Sequence, residues 1–489
     1  MNLTRRGLLA GLGATVVVYP VLARAQAQIG AVAPVATLPE VLFDVEAAVA
    51  KAKLGGEVSF AVMDAATGAV LAERHADAMM APASTLKVVT SLYALQKLGP
   101  DHRFVTRVLR RGDDLILAGG ADPLLDTDGL ARLAADAAKV WQGTPPKRFL
   151  VWGGALPRRD RIAEGQDDYL PYNPAISGMI LNFNRVHLGW KAGQFMLEAR
   201  GGSQSPRSYT VAVGAADRAS PLFTYDGSGK KESWTMARSA MGKSGARWLP
   251  VRRPELYAGD VFQTLCRAKG LVLPTPEVQE AAPNGTEVAT LSSAPLSQII
   301  RGMLKYSTNL TAEAIGLSAS GAASPQASAQ QMQDWLRTIL PEDHFEFHDH
   351  SGLSAQNRLT AVSLTRLLVK EGDRDGLRDL LKHIPLRDEK GQAKDSDITV
   401  LAKTGTLNFV SNLSGYAKAA DGREIAFTIL TGDEPRRAAN EGRELPEGVR
   451  SWTRRSKIMQ QAMIEGWLDG GPAQIAGPAV AAGQASVVR

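Results

Sequence analysis

Apolar side chains recur at helical spacing within residues 82–98. Leu86, Val89, Leu92 and Tyr93 would share one face of a helix, with a proline at its start. Such a stripe is typical of an amphipathic helix, and proline is favoured in the first turn. Other helices are predicted over residues 38–53, 296–304, 311–317 and 450–467.

Runs of strand-forming residues occur near both ends of the chain. Residues 57–63 and 69–73 flank a turn at 66–68, which predicts a β-hairpin. Late in the chain a turn at residues 421–422 joins two further predicted strands. The late strands are predicted over residues 399–403, 412–418 and 424–430.

The middle of the chain differs from its two ends in the pattern of its residues. Short strand-like runs, such as residues 114–117 and 148–152, alternate there with loops rich in glycine, proline and serine. Residues 201–245 look especially loop-like. We therefore interpret residues 105–290 as inserted material. The last residues, 469–489, are rich in alanine, glycine and glutamine and are expected to be disordered.

The N-terminus predicts export from the cytoplasm. Arg5 and Arg6 precede an uncharged apolar stretch, and small residues around Ala25 suit a signal peptidase. We expect residues 1–27 to be an export signal, and the paired arginines suggest the twin-arginine route to a periplasmic location. An uncleaved anchor is the alternative, which would give peripheral membrane association.

The amino-acid composition is typical of a globular protein and argues against some functions. The chain has 489 residues, is 44% hydrophobic and 22% charged, and has a net charge of +6, as expected for a globular protein. The positive charge is not clustered with aromatic residues, which argues against nucleic acid as a partner. Cys266 is the single cysteine, so no internal disulfide can form. It lies in a predicted amphipathic helix, which favours a buried structural thiol.

The first chemically informative motif is Ser-Thr-Leu-Lys at residues 84–87. Ser84 and Lys87 are three residues apart at a predicted helix N-terminus, so both side chains lie on one face. A lysine with a lowered pKa can take the proton of a serine and make it nucleophilic. Taken alone, a helix-capping serine is the simpler reading. A second match, at residues 228–231, has no predicted helix and is set aside.

Two later motifs could complete such a site. Residues 307–309 (Ser-Thr-Asn) lie between two predicted helices and offer a proton-relaying hydroxyl and an amide. Residues 403–406 (Lys-Thr-Gly-Thr) lie in a predicted edge strand, which could pair with an extended substrate. Gly405 would let the substrate approach closely. A similar Lys-Ser-Gly at residues 243–245 is not in a predicted strand and is set aside.

The three motifs, in this order, resemble the signature of the penicillin-recognising serine enzymes. The long stretch between Ser84 and Ser307 is similar to the insertion of the class C low-molecular-mass penicillin-binding proteins, a family of D-alanyl-D-alanine carboxypeptidases and endopeptidases. Four further segments also resemble that family. They are residues 117–124, 172–177, 181–184 and 349–354.

The resemblance implies an α+β fold. An antiparallel sheet flanked by helices would be assembled from residues 30–104 and 291–468, with one or two β-rich inserted domains over residues 105–290. The implied function is hydrolysis of D-alanyl-D-alanine bonds, and of D-alanyl-diaminopimelate cross-links, in peptidoglycan stem peptides. β-Lactams would acylate the enzyme, and no cofactor or metal is implied.

The resemblance also implies a role for each motif residue. Ser84 would be the nucleophile and Lys87 its base, Ser307 would pass a proton to the leaving amine, and Asn309 would hold the substrate amide. The terminal carboxylate would be bound by Lys403, Thr404 and Thr406, beside Gly405. The backbone N–H groups of Ser84 and Thr406 would form the oxyanion hole.

Two departures from the family pattern stand out. His350 occupies a position where the family has glycine, and the arginine expected directly after the Gly-Leu-Ser run appears only at Arg358. His344 and His348 lie close to His350, but their spacing matches no zinc motif, so we favour an exposed loop over a metal site.

Three other functions are kept as alternatives. A β-lactamase would need a dedicated base for deacylation, and no loop that would carry one is recognised. A non-catalytic wall-binding protein would be expected to carry a broken motif, whereas all three motifs are intact. An esterase or amidase acting on other D-amino-acid peptides is the third.

Overall fold

A computed structural model describes residues 43–388 and 391–469. The predicted signal, residues 1–27, lies outside this part of the chain, as does the predicted tail apart from its first residue. In chain order the helices are α1 Val45–Ala52, α2 Leu86–Leu98, α3 Thr127–Val140, α4 Arg238–Met241, α5 Pro254–Arg267, α6 Leu296–Tyr306, α7 Asn309–Ser320, α8 Pro325–Ile339, α9 Ala361–Glu371, α10 Leu377–Leu380, α11 Glu434–Ala438 and α12 Val449–Asp469.

Nineteen strands form in the described residues. They are β1 Glu57–Asp64, β2 Val70–Arg74, β3 Val105–Arg111, β4 Asp114–Ala118, β5 Arg148–Trp152, β6 Arg185–Lys191, β7 Gln194–Glu198, β8 Val211–Ala216, β9 Phe223–Asp226, β10 Glu232–Ala237, β11 Ser244–Pro250, β12 Pro276–Gln279, β13 Thr286–Ser292, β14 Phe345–Glu346, β15 Arg358–Leu359, β16 Lys382–His383, β17 Thr399–Leu407, β18 Val410–Lys418 and β19 Glu424–Gly432.

The principal sheet joins the two ends of the chain. Its six strands lie in the order β16-β17-β18-β19-β1-β2, and β1 pairs antiparallel with β19 in a register that places Phe60 opposite Ile429. β18 and β19 are buried along nearly their whole length, because α9 packs on one face of the sheet and α12 on the other. The predicted antiparallel sheet flanked by helices and built from both chain ends is confirmed.

β17 and β18 are longer than predicted. They form a tight hairpin in which Leu407 lies opposite Val410, and Phe409 in the turn has a φ of +55°. This turn carries no glycine and no asparagine-glycine pair, so the predicted strand begins two residues after the observed start of β18. The short strand β16 pairs with Leu401 and Ala402, and the Ile384 N–H donates to the Val400 carbonyl, so among the described residues the later part of β17 has an open edge, as predicted.

α2 runs through the centre of the helical layer. The predicted stripe is buried, but so are Lys87 and Thr90, because α6, α7 and α8 surround the helix. A helix buried all round offers no clear boundary between apolar and polar faces. α1 is shorter than predicted within the described residues, since Asp44 caps it by accepting a hydrogen bond from the Ala47 N–H at 2.8 Å.

The stretch between β3 and β13 is rich in strands, as predicted for the insertion. It forms a five-stranded sheet (β12-β5-β4-β3-β13) and two three-stranded sheets (β11-β6-β7 and β8-β10-β9), with α3 and α5 packed among them. The exact domain limits given above stay predictions. Cys266 is fully buried in α5, and burial raises the pKa of its thiol, so the interpretation as a structural thiol is confirmed.

The prediction of loops over residues 201–245 was wrong. β8 to β10 and the start of β11 lie there, and their pairing explains why they were missed. β10 pairs parallel with β8, and β11 pairs with β6, so these two pairings are not local hairpins, whereas β9 and β10 pair antiparallel with each other. Ser244 and Gly245 are strand residues, contrary to expectation. A Cβ on Gly245 would lie 2.2 Å from the Trp190 ring, so this glycine serves packing.

Candidate active site

The turn that presents Ser84 is held by contacts on three sides. Ala83 has a φ of +46°, a conformation that residues other than glycine rarely adopt. The Asn412 side chain, on β18, donates to the carbonyls of Ala81 and Pro82 at 2.9 Å each. Thr85 Oγ1 also donates to the Pro82 carbonyl at 2.6 Å. Tertiary contacts therefore hold a strained backbone at the start of α2.

Two glycines pack against this turn. A Cβ on Gly405 would lie 2.8 Å from the Pro82 carbonyl oxygen and 3.1 Å from the Thr85 nitrogen. A Cβ on Gly352 would lie 1.8 Å from the Ala83 carbonyl oxygen. Gly405 therefore faces the turn, and its small size lets β17 approach Ser84. The sequence suggested another reason for this glycine, namely that it lets the substrate approach closely.

Replacement of Gly352 by alanine is expected to destabilise the protein by about 3 kcal/mol or more, because the new Cβ would displace the backbone of the turn. Gly112 is the matched control, since its φ of +61° is also positive but no atom lies near its Cβ position. Gly112→Ala should cost only about 1 kcal/mol. Thermal unfolding of both variants measures the difference. Equal losses of stability would contradict this account of the turn.

Lys87 lies at the centre of the candidate site. Its Nζ is 2.9 Å from Ser84 Oγ, 2.8 Å from Asn309 Oδ1 and 2.6 Å from the Ser351 carbonyl oxygen. A neutral amine has two N–H groups and one lone pair. The Asn309 and Ser351 oxygens can only accept, so they take both N–H groups. The lone pair is then left for the Ser84 hydroxyl.

The surroundings of Lys87 favour the neutral amine. Burial lowers its pKa to about 7, while the nearby carboxyls of Asp349 and Glu313 act in the opposite direction. Asp349 accepts hydrogen bonds from the backbone N–H groups of Gly352 and Ser354. Burial and the neighbouring Asp349 raise the pKa of Glu313 to about 8. A lysine that loses its proton near neutral pH is suited to general-base chemistry.

Ser307 and Lys403 form a second pair. Ser307 ends α6 with a φ of +58°, and its Oγ lies 2.8 Å from Lys403 Nζ. Lys403 Nζ also donates to the Thr404 carbonyl at 2.6 Å. Burial, with the positive charges of Lys87 and Lys382, lowers the pKa of Lys403 well below its usual value. Ser307 is therefore in hydrogen-bond contact with a lysine whose pKa is lowered by burial.

Asn309 connects Lys87 to the stretch between β5 and β6. Its Oδ1 accepts from Lys87, and its Nδ2 donates to the Tyr172 carbonyl at 3.0 Å. Sequence reasoning singled out residues 172–177 by resemblance but assigned no contact to Tyr172. This hydrogen bond spans more than a hundred residues of chain, and no local pattern signals it.

The predicted motif residues come together. Ser84, Lys87 and Asn309 form one hydrogen-bonded group, and Ser307 with Lys403 forms another. Ser84, Ser307, Asn309 and Thr406 line one cavity of about 1320 Å³.

Two buried carboxyls were missed from sequence. Asp349 lies in a segment noted only for its resemblance. Glu313 is four residues after Asn309 on α7, so helical spacing alone would have placed it on the same face as the amide. The sequence alone could therefore have identified Glu313 as a neighbour of Asn309. Burial of both carboxyls near Lys87, however, depends on the loop that precedes β15.

His350 replaces the family's glycine without leaving polar atoms unpaired on its ring. The imidazole is fully buried, so the expectation of an exposed loop was wrong for His350. It packs on Gly316 of α7, where a Cβ would lie 2.3 Å from the ring. Its Nε2 is 2.7 Å from Ser328 Oγ, and burial lowers its pKa to about 3. His348 instead contacts Glu346 at 2.8 Å near the surface. In the described part of the chain, no group of three His, Cys, Asp or Glu side chains is arranged to hold a metal.

Comparison with solved structures shows that this fold is similar to that of a penicillin-binding protein. Penicillin-binding protein 4 from Haemophilus influenzae matches with a TM-score of 0.69 and 18% identity, over 86% of this chain and all of that one. The same protein in complex with a β-lactam matches with a TM-score of 0.66. The predicted fold class is confirmed.

Sequence comparison gives the family. The D-Ala-D-Ala carboxypeptidase 3 (S13) family model matches residues 41–455, and the chain belongs to this family. The D-alanyl-D-alanine carboxypeptidase of Actinomadura sp. (strain R39) is 28% identical, over 85% of this chain and 87% of that protein. Carboxypeptidase DacB of Mycolicibacterium smegmatis is 26% identical, over 77% and 76%. The prediction of a serine-type D-Ala-D-Ala carboxypeptidase is confirmed.

Proposed function

We propose that the chain hydrolyses the D-alanyl-D-alanine ends of peptidoglycan stem peptides through an acyl-enzyme on Ser84. The observation that carries this proposal is the geometry around Lys87. Two acceptor-only oxygens, of Asn309 and Ser351, occupy its N–H groups, so the lone pair of the neutral amine is directed to the Ser84 hydroxyl. Burial supplies the low pKa that such a base needs.

In the acylation step, Ser84 Oγ attacks the carbonyl carbon of the penultimate D-alanine while Lys87 takes the hydroxyl proton. The backbone N–H groups of Ser84 and Thr406 bind the developing oxyanion. The close packing of Gly405 on the turn supports this, because it brings β17 next to Ser84. Each oxyanion-hole donor is worth about 3 kcal/mol of transition-state stabilisation.

The leaving amine needs a proton, which Ser307 would deliver. Its hydroxyl contacts Lys403, whose lowered pKa makes it a ready proton source. The bond between the two alanines breaks, D-alanine leaves, and water then hydrolyses the ester on Ser84. Lys403, Thr404 and Thr406 would bind the terminal carboxylate at the open edge of β17, while Asn309 holds the substrate amide.

The same site would accept β-lactams as covalent inhibitors, and cross-linked D-alanyl-diaminopimelate peptides as endopeptidase substrates. Peptidoglycan lies outside the cytoplasm, so this function agrees with the predicted export signal, the twin-arginine route and a periplasmic location. Among the helices that the structure describes, none has the length and apolar character needed to cross a membrane.

Incubation of the purified protein with monomeric pentapeptide muropeptides tests the proposal. We expect a mass loss of one alanine residue per stem, because the terminal D-alanine is released. Cross-linked dimers in a parallel reaction report endopeptidase activity. Intact pentapeptides after prolonged incubation, with protein that still binds penicillin, would contradict the proposed substrate.

A further inference from the structure

One side of the cavity is lined by cations that have no role in the proposed chemistry. The cavity that contains Ser84 continues past Asn408 to the loop before α12 and the first half of that helix, where it is lined by Arg443, Arg450, Arg454 and Lys457. We call these four residues and the surface between them the basic trough. Asn408, which follows β17, donates to the Arg443 carbonyl at 2.7 Å, so the strand end and the trough are directly connected.

The α12 cations of the trough lack internal partners. Arg450, Arg454 and Lys457 are exposed, and no carboxylate among the described residues lies within ion-pair distance of them. Their neighbour Arg455 points elsewhere and donates to the carbonyls of Ala52 and Lys53. The three side chains fall at positions i, i+4 and i+7, so they share one face of the helix.

These charges are also placed against the usual preferences of a helix. Cations are favoured near a helix C-terminus, yet they lie in the first half of α12, whose first turn has no acidic residue. Arg450 and Arg454 also repel each other across one turn. Intramolecular stability does not account for this arrangement. An anionic ligand bound in the trough would account for it.

The direction of the bound substrate leads to the trough. With the terminal carboxylate near Thr404 and the scissile carbonyl at the N–H of Thr406, the residues upstream of the cleaved bond continue along β17 towards Asn408. Arg450 and Lys457 are about 10 Å apart along the helix axis, the length of roughly three extended peptide residues. Leu445 and Ile458, both more than half exposed, add apolar surface to the same wall.

We propose that the basic trough binds the upstream part of the substrate, as an extended peptide that carries free carboxylates. The proposal rests on the proposed function, because the polarity of the substrate follows from the roles of Thr404 and Thr406. The trough would then make the enzyme select acidic peptides over neutral ones of equal length, through contacts remote from the cleaved bond.

Two synthetic pentapeptides that end in D-Ala-D-Ala test this selection. They differ only in two upstream residues, which are glutamates in one peptide and glutamines in the other. We expect the wild-type protein to release D-alanine from the glutamate peptide about tenfold more efficiently, measured as kcat/KM at low salt. The triple variant Arg450→Ser, Arg454→Ser, Lys457→Ser should lose this preference while its activity on the glutamine peptide is retained.

A second triple variant controls for net charge. Lys230, Lys231 and Lys243 are exposed in the inserted region and do not line the cavity. Their joint replacement by serine removes the same charge and should leave the preference intact. An unchanged penicillin-labelling rate in both triple variants shows that the site around Ser84 is preserved.

Three outcomes would overturn the proposal. The first is an undiminished preference in the α12 variant, and the second is an equal loss in the Lys230 control. The third is loss of binding to anionic phospholipid vesicles by the α12 variant with its peptide preference unchanged, which would assign the trough to a membrane surface. Failure of the proposed function itself looks different, because the wild-type protein would then release D-alanine from neither peptide.

Discussion

Replacement of Ser84 by alanine should abolish covalent labelling by a fluorescent penicillin. The labelled product is an ester to Ser84 Oγ, and alanine has no atom that could form it. Lys87 is fully buried and would remain beside the vacated position, but a lysine held by Asn309 and Ser351 is not placed to replace the serine. We expect no labelled band on a denaturing gel, even after incubation long enough to saturate the wild-type protein.

Ser228 provides the matched control for this experiment. It belongs to the other Ser-x-x-Lys match, in an exposed turn between β9 and β10, so Ser228→Ala should be labelled at the wild-type rate. A melting temperature near that of the wild type would show that Ser84→Ala is folded. If Ser84→Ala were labelled as fully as the wild type, the nucleophile would have to be another residue.

Replacement of Lys87 by methionine should slow acylation by about 10³-fold, within the range by which a general base contributes to catalysis. Methionine has a similar length but no proton acceptor of comparable strength. Ser84 would be left in place without a base, so labelling should become slow and not impossible. Stopped-flow or timed-gel measurements of the acylation rate at pH 8 give the ratio. Lys231→Met, in the set-aside match, should leave the rate unchanged.

The pH dependence of the wild-type protein tests the same assignment independently. Because the pKa of Lys87 is lowered to about 7, the amine is mostly neutral above that pH and mostly protonated below it. Only the neutral amine can accept the Ser84 proton. Acylation should therefore rise with pH, about tenfold per unit below pH 6, and level off above pH 8. A rate that is flat from pH 5 to 9 would argue against Lys87 as the base.

Local sequence was sufficient for the elements that carry the motifs. The spacing of Ser84 and Lys87, the position of Ser307 between two helices and the strand that contains Lys403 were all read from neighbouring residues. Each depends on short-range backbone geometry, in which side chains three residues apart on a helix share a face. The same local patterns failed for residues 201–245, where β8 and β11 pair with strands that are not adjacent in sequence.

The lowered pKa values in the site could not be predicted from local sequence. The low pKa of Lys87 results from burial by segments that are distant in sequence, including α7 and the loop with Ser351. Desolvation depends on everything that excludes water from a group, so no motif encodes it. The contact between Asn309 and the Tyr172 carbonyl, and the strained Ala83 held by Gly352 and Asn412, have the same origin.

The amino-acid sequence by itself determined the three motifs, the helices and strands that hold them, and the family to which they point, because these follow from residue type and short-range spacing. Tertiary structure alone decided which oxygen atoms surround the Lys87 amine, why Gly405 must be small, and that the cations of α12 share a cavity with Ser84. The physical reason is that burial and close packing depend on chain segments that are hundreds of residues apart in sequence. These segments come into contact only when the six-stranded sheet forms.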